Sequence, residues 1–242
     1  MSRIVVGNDV VDLSDPRCRG RSESRRFLAR VYTAAETARI RGSDAPDRTL
    51  WLLWAAKEAA FKVVSKVAGE PPPFVHAAFD VSVSGSGQTP VRGHVTHFDR
   101  RVPFVAELGP GWIHLVAWWD GAASVDPPPE LRWSLSRVDE VLPGAQPDQL
   151  QAILEKRFTE RERPAVHSMA SAAVRMAARD GVAAELGAEA GDLEIVCQGG
   201  AVGRTPPRLY VRGTPARTDV SLSHHGELVG WAAALATETG GS

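Results

Sequence analysis

The clearest pattern in the chain is a helical periodicity that runs from residue 50 to residue 68. At about 100° per residue, one face of this stretch is apolar, and the other carries Glu58 and Lys62 together with Ser65 and Lys66. The apolar positions are Leu52, Leu53, Ala56, Ala60, Val63, Val64 and Val67. The pattern predicts an amphipathic helix that packs on a sheet and presents a carboxylate and two ammonium groups on its other face.

Shorter apolar runs around this helix predict β-strands. Before the middle of the chain they occupy residues 3–6 with 10–11, 79–83, 93–96, 103–107 and 112–118. A second long helix is predicted over 168–186, and further strands at 193–197, 208–212, 220–223 and 228–236. A helix followed by several antiparallel strands, found twice, favours an α+β fold. We expect two similar halves, each a helix on a small antiparallel sheet, that form a pseudo-dimer.

A proline-rich segment separates the two halves. Residues 123–130 read Ala-Ser-Val-Asp-Pro-Pro-Pro-Glu, and consecutive prolines cannot continue a helix or a central strand. The expected domains are therefore residues 1–122 and residues 131–242, each of an ordinary small-domain size.

Short sequence matches between the halves indicate an internal duplication. The matches pair 31–36 with 157–162, 67–70 with 185–189 and 115–118 with 228–231, at offsets of 126, 118 and 113 residues. Falling offsets are what duplication followed by loop loss leaves. Each match is short, so chance likeness is the alternative.

The composition is that of a globular protein, and it indicates no particular class of binding partner. Hydrophobic residues make up 43% and charged residues 24% of the chain, and the net charge is −1. This balance gives no general attraction to nucleic acid or to an anionic membrane. There is no apolar run of membrane-spanning length and no secretory leader, so we expect a cytoplasmic protein. Cys18 and Cys197 have neither zinc nor disulfide spacing and are expected to be reduced.

Lysine is rare and concentrated on the predicted helix. Of the 28 basic residues only 4 are lysines, and Lys57, Lys62 and Lys66 lie within ten residues of one another. A lysine supplies a compact point charge where arginine supplies a planar fork. This concentration marks the helix as a candidate for charge-dependent chemistry.

Two stretches of the first half carry acidic residues suited to such chemistry. In Gly7-Asn-Asp9 the aspartate lies on a strand edge after a glycine, a common way of presenting a carboxylate to Mg²⁺. The alternative is a turn in which Asp9 or Asp12 caps the next element. Glu58 and Lys62 are spaced i, i+4 on the helix, and here the alternative is an ordinary surface ion pair.

The second half has a polar stretch, Ser221-Leu-Ser-His224, at the end of a predicted strand. A histidine near a serine suits a phosphate, and the alternative is a polar turn between two strands. The glycine-rich run 199–204 ends in Arg204 but lacks the Lys-Ser/Thr of a P-loop. That run alone is weak support for nucleotide binding.

Together these motifs resemble those of the 4′-phosphopantetheinyl transferase superfamily. The residues that carry the resemblance are Gly7, Asp9 and Asp12, then Trp54-Ala-Ala-Lys57-Glu58 with Lys62, and Ser221-Leu-Ser-His224. The chain is similar to the larger, pseudo-dimeric surfactin type with its halves in reverse order, and also to the small holo-acyl-carrier-protein synthase type. The resemblance implies that residues 1–122 hold the metal motifs and residues 131–242 the coenzyme-binding Ser-His motif.

The resemblance implies a transferase that moves the 4′-phosphopantetheine arm of coenzyme A to a serine of an acyl or peptidyl carrier protein. Such carriers serve fatty acid, polyketide or nonribosomal peptide biosynthesis, and the reaction needs Mg²⁺ and releases 3′,5′-ADP. By the same resemblance, Asp9 and Glu58 hold Mg²⁺, Glu58 helps to deprotonate the serine, and Lys62 steadies the leaving phosphate. The residues implied for coenzyme A are Ser223, His224, Arg204 and Arg175, with Arg163 and His167 as further candidates.

The repeat favours a single working site. Under the offset of 118, Glu58 pairs with Met176 and the second half has no metal carboxylate. Lys57 pairs with Arg175 under the same offset. The offset of 113 leaves the first half without a Ser-His stretch. Each half then lacks what the other retains, so one site is expected where the halves meet, in a monomer.

The sequence also departs from the larger type. Val11 stands where that type has a second acidic residue, so the metal would use water or, indirectly, Asp12. A non-catalytic binding protein for coenzyme A or a carrier, and a Mg²⁺-dependent phosphohydrolase, stay open as alternatives. A carrier would be met by a basic face at Arg17, Arg19, Arg21, Arg25 and Arg26, although such a run is usually a solvated surface.

Overall fold

The computed structural model describes residues 3–84, 89–121, 124, 126–200 and 203–236, without the side chains of 199–200 and 203–204. The chain divides into two compact units between Pro127 and Pro128, inside the proline-rich segment. We describe the N-terminal unit, up to Pro127, and the C-terminal unit, from Pro128, each by itself.

The N-terminal unit is one antiparallel sheet with helices. Its helices are α1 (Arg25–Val31), α2 (Ala34–Arg41) and α3 (Pro46–Ala68). Its strands are β1 (Val5–Asp12), β2 (Asp80–Ser84), β3 (Val91–His97), β4 (Arg100–Gly109) and β5 (Trp112–Trp119). The strand order is β1-β5-β4-β3-β2, which makes β1 an edge strand.

Helix α3 is the long amphipathic helix that the periodicity predicts. Proline opens its first turn, where a missing N–H costs nothing, and Gly69 ends it in the left-handed conformation at φ 81°. Buried apolar side chains of α3 pack with the inward-facing residues of the sheet. Leu53, Ala56, Ala60, Val63 and Val64 are buried as predicted, whereas Leu52 and Val67 are only partly buried.

The C-terminal unit repeats this architecture. Its helices are α4 (Val138–Val141), α5 (Leu150–Arg157) and α6 (Met169–Leu186). Its strands are β6 (Leu131–Arg137), β7 (Leu193–Val196), β8 (Gly199–Gly200), β9 (Gly203–Arg204), β10 (Arg208–Val211), β11 (Thr214–His225) and β12 (Leu228–Ala234). The five longer strands follow the order β6-β12-β11-β10-β7, and β8 pairs with β9. The predicted α+β fold of two similar halves is confirmed.

The first sequence match between the units is also a structural one. In the N-terminal unit, the Thr33 N–H donates to Glu36 Oε2 at 2.8 Å, closing the first turn of α2. In the C-terminal unit, the Thr159 N–H donates to Glu162 Oε2 at 3.1 Å. The offset of 126 therefore aligns two equivalent capped turns.

The third match, at an offset of 113, is wrong. Ile113, Leu115 and Ala117 of β5 lie in the core with α3, so Trp118 leaves the strand on the opposite face. Trp231 instead lies in the core with Ala178 and Val182 of α6, among other residues. A register error of one residue exchanges the two faces of a strand, and four similar residues do not reveal which face each one takes.

The predicted pairing of Lys57 with Arg175 is also wrong. Lys57 Nζ contacts the cap residue Glu36 at 2.8 Å, and Arg179 Nη1 contacts the equivalent Glu162 at 3.3 Å. Arg179 therefore takes the role of Lys57. The glycines that end the two helices, Gly69 and Gly187, do pair at the offset of 118 residues. The part of the helix between the paired cation and this glycine is therefore about one turn shorter in α6 than in α3.

Two further observations bear on the sequence-based expectations. In the part of the chain that is described, no helix has both the length and the apolar character needed to cross a membrane. Cys18 and Cys197 are free thiols, and Cys18 is buried.

Candidate active site

The site begins at the edge strand β1, where Asp9 stands opposite Leu115 of β5. The residues Gly7 to Asp12 continue the strand, so the alternative of a turn at Asp9 is wrong. A Cβ atom at Gly7 would overlap the backbone carbonyl oxygen of Ala59 in α3. Glycine is therefore required for β1 to approach α3 closely, and this approach brings Asp9 to the polar face of the helix.

Lys62 joins the helix to the strand beside Asp9. Its Nζ donates to the backbone oxygen of Asn8 at 2.6 Å and lies 3.5 Å from Asp9 Oδ1. One turn further along α3, Lys66 donates to the backbone oxygen of Val6 at 2.7 Å. The two lysines thus bind backbone oxygens of an edge strand. Lys66, which the helical period places only on the polar face of the helix, has this defined contact.

Glu58 lies one helical turn before Lys62, and its carboxyl group is electrostatically perturbed. Burial raises the pKa of Glu58 to about 7, the negative charge of Asp9 contributes to this rise, and Lys62 opposes it. Asp9 and Glu58 are thus near enough to repel each other. A carboxyl group with a pKa near neutrality suits a general base, because it is partly ionised and can hold a proton.

The two carboxylates fit a magnesium ion in their chemistry. Mg²⁺ binds proteins through one or two carboxylates and keeps water or substrate phosphate oxygens as its other ligands. A bound cation would relieve the repulsion between the carboxylates of Asp9 and Glu58. Within residues covered by the structure, no three His, Cys, Asp or Glu side chains form a metal cage, so the fit is that of an open two-carboxylate site.

Asp12 does not belong to this group. It leaves β1 on the opposite face from Asp9, since the two positions differ by three. Its Oδ1 accepts hydrogen bonds from the Ser14 N–H at 2.9 Å and the Ser14 hydroxyl at 2.5 Å. Asp12 therefore stabilises the turn after β1, whereas the next helical turn, Pro16–Cys18, is capped by Asp15.

Two neighbours of the carboxylate and lysine group were missed by reasoning from the sequence. His76 comes shortly after a triple-proline stretch, and its Nε2 lies 3.7 Å from Glu58 Oε1. Its ring stacks on Trp54, one turn before Glu58, with centroids 4.6 Å apart. Lys57, considered only as part of the motif, is fully buried. No periodic signal marks a histidine in a single 3-10 turn, and the partner of Lys57 is distant in sequence.

Comparison with protein families agrees with this geometry. Residues 5–113 match the family model for the 4′-phosphopantetheinyl transferase superfamily, and this range includes Asp9, Glu58 and Lys62. The chain carries a domain of that superfamily. Phosphopantetheinyl transfer is the general activity of the superfamily, and this transferase domain contains the whole N-terminal carboxylate and lysine group. Comparison with curated proteins gave no match.

The residues predicted to bind coenzyme A lie in the C-terminal unit, beyond the range matched to the transferase superfamily. Ser223 and His224 are both in β11, and they leave it on opposite faces, with Ser223 buried and His224 exposed. Arg175, on α6, is buried; its Nη1 donates to the backbone oxygen of Ser171 at 3.0 Å, and Nη2 lies 3.6 Å from Cys197 Sγ. The side chain of Arg204 lies outside the described part of the chain.

The C-terminal unit does not repeat the carboxylate and lysine group of the transferase domain. Asp180 follows Arg179 as Glu58 follows Lys57, so a carboxylate does stand at the equivalent position, contrary to the pairing with Met176. Asp180 is exposed, however, and Ala184 occupies the place of Lys62 four residues later. Asp180 thus lacks the neighbouring ammonium that accompanies Glu58.

Proposed function

We propose that the protein transfers the 4′-phosphopantetheine group of coenzyme A to a serine of an acyl or peptidyl carrier protein, in a Mg²⁺-dependent reaction that releases 3′,5′-ADP. The observation that carries this proposal is the group formed by Asp9, Glu58 and Lys62. It offers two carboxylates for a cation, a base with a pKa near neutrality and an ammonium for phosphate charge.

Glu58 is the residue proposed to accept the serine proton. With its pKa raised to about 7, its carboxylate is a better proton acceptor than an ordinary glutamate. The serine oxygen then attacks the phosphorus that bears the pantetheine arm, and the bond from that phosphorus to the ADP oxygen breaks. Glu58 takes the proton directly or through an intervening water molecule.

Lys62 and Asp9 are proposed to handle the diphosphate. The hydrogen bond to the backbone oxygen of Asn8 fixes the position of the Lys62 ammonium. The charge of this ammonium offsets the charge that develops on the leaving phosphate. Asp9 and Glu58 would hold Mg²⁺, which supplies further charge neutralisation on the diphosphate when bound. Transfer of this kind depends mainly on positioning and charge.

Arg175 is the best supported of the proposed coenzyme-binding residues. Its guanidinium is buried, and within the residues the structure covers it contacts a backbone oxygen and a thiol rather than a carboxylate. A buried cation without an acidic partner suits an anionic ligand such as a phosphate. Ser223, His224 and Arg204 stay proposals on the resemblance alone.

The carrier is proposed to approach over the exposed arginines that precede and open α1. Arg17, Arg19, Arg21, Arg25 and Arg26 are all exposed, and a cluster of positive charge attracts an acidic partner at low ionic strength. Arg21 also lies over the ring of Phe27, with 5.7 Å from its guanidinium carbon to the ring centre.

The test is the intact mass of a panel of apo carrier proteins after incubation with the protein, coenzyme A and Mg²⁺. The Glu58→Ala variant should lose the gain of one phosphopantetheine on the carrier serine. The Asp180→Ala variant is the matched control, because it removes the equivalent carboxylate of the C-terminal unit, and it should keep the gain. No gain on any carrier, with coenzyme A still bound, would favour the non-catalytic binding protein. Consumption of coenzyme A without a carrier would favour the phosphohydrolase.

A further inference from the structure

Beneath Glu58 lies a buried ion pair that the reaction itself does not use. Lys57 is fully buried, and its Nζ donates to Glu36 Oε1 and Oε2 at 2.8 and 2.9 Å. Glu36 is buried as well and accepts the backbone N–H of Val81 at 2.9 Å. The pair thus connects α3, the first turn of α2 and strand β2.

Lys57 also holds the backbone on which His76 stands. Its ammonium donates to the backbone oxygen of His76 at 3.1 Å and to that of Phe79. The three N–H donors of an ammonium are therefore directed at one carboxylate and two carbonyls, all buried or partly buried. The 76–79 segment is fixed to α3 by the residue immediately before Glu58.

The side chain of His76 in turn meets the candidate base. Its ring lies close to those of Trp54 and Phe74, with centroid distances of 4.6 and 4.1 Å, and its Nε2 is 3.7 Å from Glu58 Oε1. Trp54 and Glu58 are one helical turn apart on α3. The ring therefore limits the space open to the Glu58 carboxylate on one side.

The C-terminal unit contains one part of this arrangement, the buried pair of a cap carboxylate and a cation. There Glu162 is buried, pairs with Arg179 at 3.3 Å and accepts the Ile195 N–H at 2.9 Å. The second donor of Arg179 goes to the backbone oxygen of Arg157 at 2.9 Å, upstream of the helix. A cap carboxylate with a buried cation is thus common to both units. The connection from the cation to a ring beside the next carboxylate is described only in the N-terminal unit.

We propose that Lys57 and His76 are positioning residues for Glu58, with Lys57 fixing the His76 segment and the His76 ring fixing the carboxylate. This inference rests on the proposed function, because it gives the residues a purpose in the chemistry of Glu58. A buried ion pair is weak evidence of stability by itself, so the two roles need an experiment that separates them.

The experiment compares Lys57→Met with Arg179→Met, which remove equivalent cations from the two units. Both variants leave a cap carboxylate without its cation, and both are expected to melt at lower temperature. Displacement of a reacting group by about 1 Å costs on the order of 100-fold in rate. We therefore expect kcat to fall by about 100-fold in Lys57→Met, with KM for coenzyme A nearly unchanged, and to stay near wild type in Arg179→Met.

Hydrogen exchange gives a readout that does not depend on activity. Amides of residues 74–80 should exchange faster in Lys57→Met than in the wild type and should be unaffected in Arg179→Met. If wild type shows no transfer to any carrier, the proposed function fails, yet this measurement still tests the link between Lys57 and the His76 segment. Unchanged exchange in Lys57→Met would overturn that link.

His76→Phe tests the second step without disturbing the ion pair. Phenylalanine keeps the stacking on Trp54 and removes the imidazole nitrogen, so the melting temperature should stay near wild type while kcat falls. Because both residues act through one carboxylate, the Lys57→Met/His76→Phe double variant should lose little more than the worse single variant. Wild-type kcat in His76→Phe, multiplicative losses in the double variant, or an equal kcat loss in Arg179→Met would overturn the proposal.

Discussion

Replacing Glu58 with glutamine should stabilise the metal-free protein above neutral pH while it abolishes transfer. Burial and the charge of Asp9 raise the pKa of Glu58 from 4.5 to about 7. The folded state therefore binds this proton more tightly than the unfolded state does. The resulting stabilisation is fully present below about pH 4.5 and is lost as the pH rises through about 7.

The size of the effect follows from the shift in pKa. One pKa unit corresponds to about 1.4 kcal/mol, so the shift sets an upper limit of about 3 kcal/mol. The Glu58 side chain is 24% exposed, and solvent screening reduces the value, so we expect about 1 to 3 kcal/mol. Glutamine resembles the protonated carboxyl group and does not ionise, so the variant keeps the stability that the wild type loses.

Urea unfolding at about pH 5 and about pH 8 measures this difference. The free energy of unfolding of Glu58→Gln should exceed that of the wild type by the larger margin at the higher pH. Added Mg²⁺ should close the gap by stabilising the wild type alone. Glu160→Gln, at an exposed position of the C-terminal unit, should show no such change with pH. A margin that is equal at both pH values would refute the electrostatic reasoning.

Three further changes test other parts of the site. Gly7→Ala forces a Cβ against the Ala59 carbonyl and should lower the free energy of unfolding by about 1 to 3 kcal/mol, measured by urea unfolding. Lys62→Met should lower kcat by about 100- to 1000-fold in a mass-based transfer assay, whereas Lys66→Met, one turn away, should lose mainly stability. Arg175→Met should raise KM for coenzyme A about tenfold or more through the loss of a charged hydrogen bond, and an unchanged KM would remove Arg175 from the coenzyme site.

Helix α3 and the strands of the N-terminal unit could be predicted because each follows a local period. The α3 pattern depends only on residues 50–68, and the strand alternation of β2 to β5 is equally local. The resemblance to the transferase superfamily also assigned Asp9, Glu58 and Lys62 to one site. In the structure these residues lie near one another because Gly7 permits close packing of β1 on α3.

What the sequence did not reveal depends on tertiary contacts. Lys57 has its partner at Glu36, 21 residues earlier, and no helical period connects the two. Strand β6 and helices α1 and α2 have weaker apolar patterns, and α2 is held by its capping box. The match that ends at Trp118 and Trp231 failed because the identity of a residue does not reveal the face of the sheet on which it lies.

The repeated architecture indicates what the buried ion pairs do in this protein. Both units keep a cap carboxylate, at Glu36 and at Glu162, and each carboxylate has a cation from the following long helix. Since the Lys62 equivalent is alanine in the C-terminal unit, its pair is kept without that ammonium, so the common role is to fix the helix against the preceding turn. The N-terminal unit adds to this frame a carboxylate on β1, an ammonium one turn after Glu58 and a ring beside it. Few substitutions then suffice to build a catalytic group, because the ion pair already fixes the orientation of the helix face that carries the substituted residues.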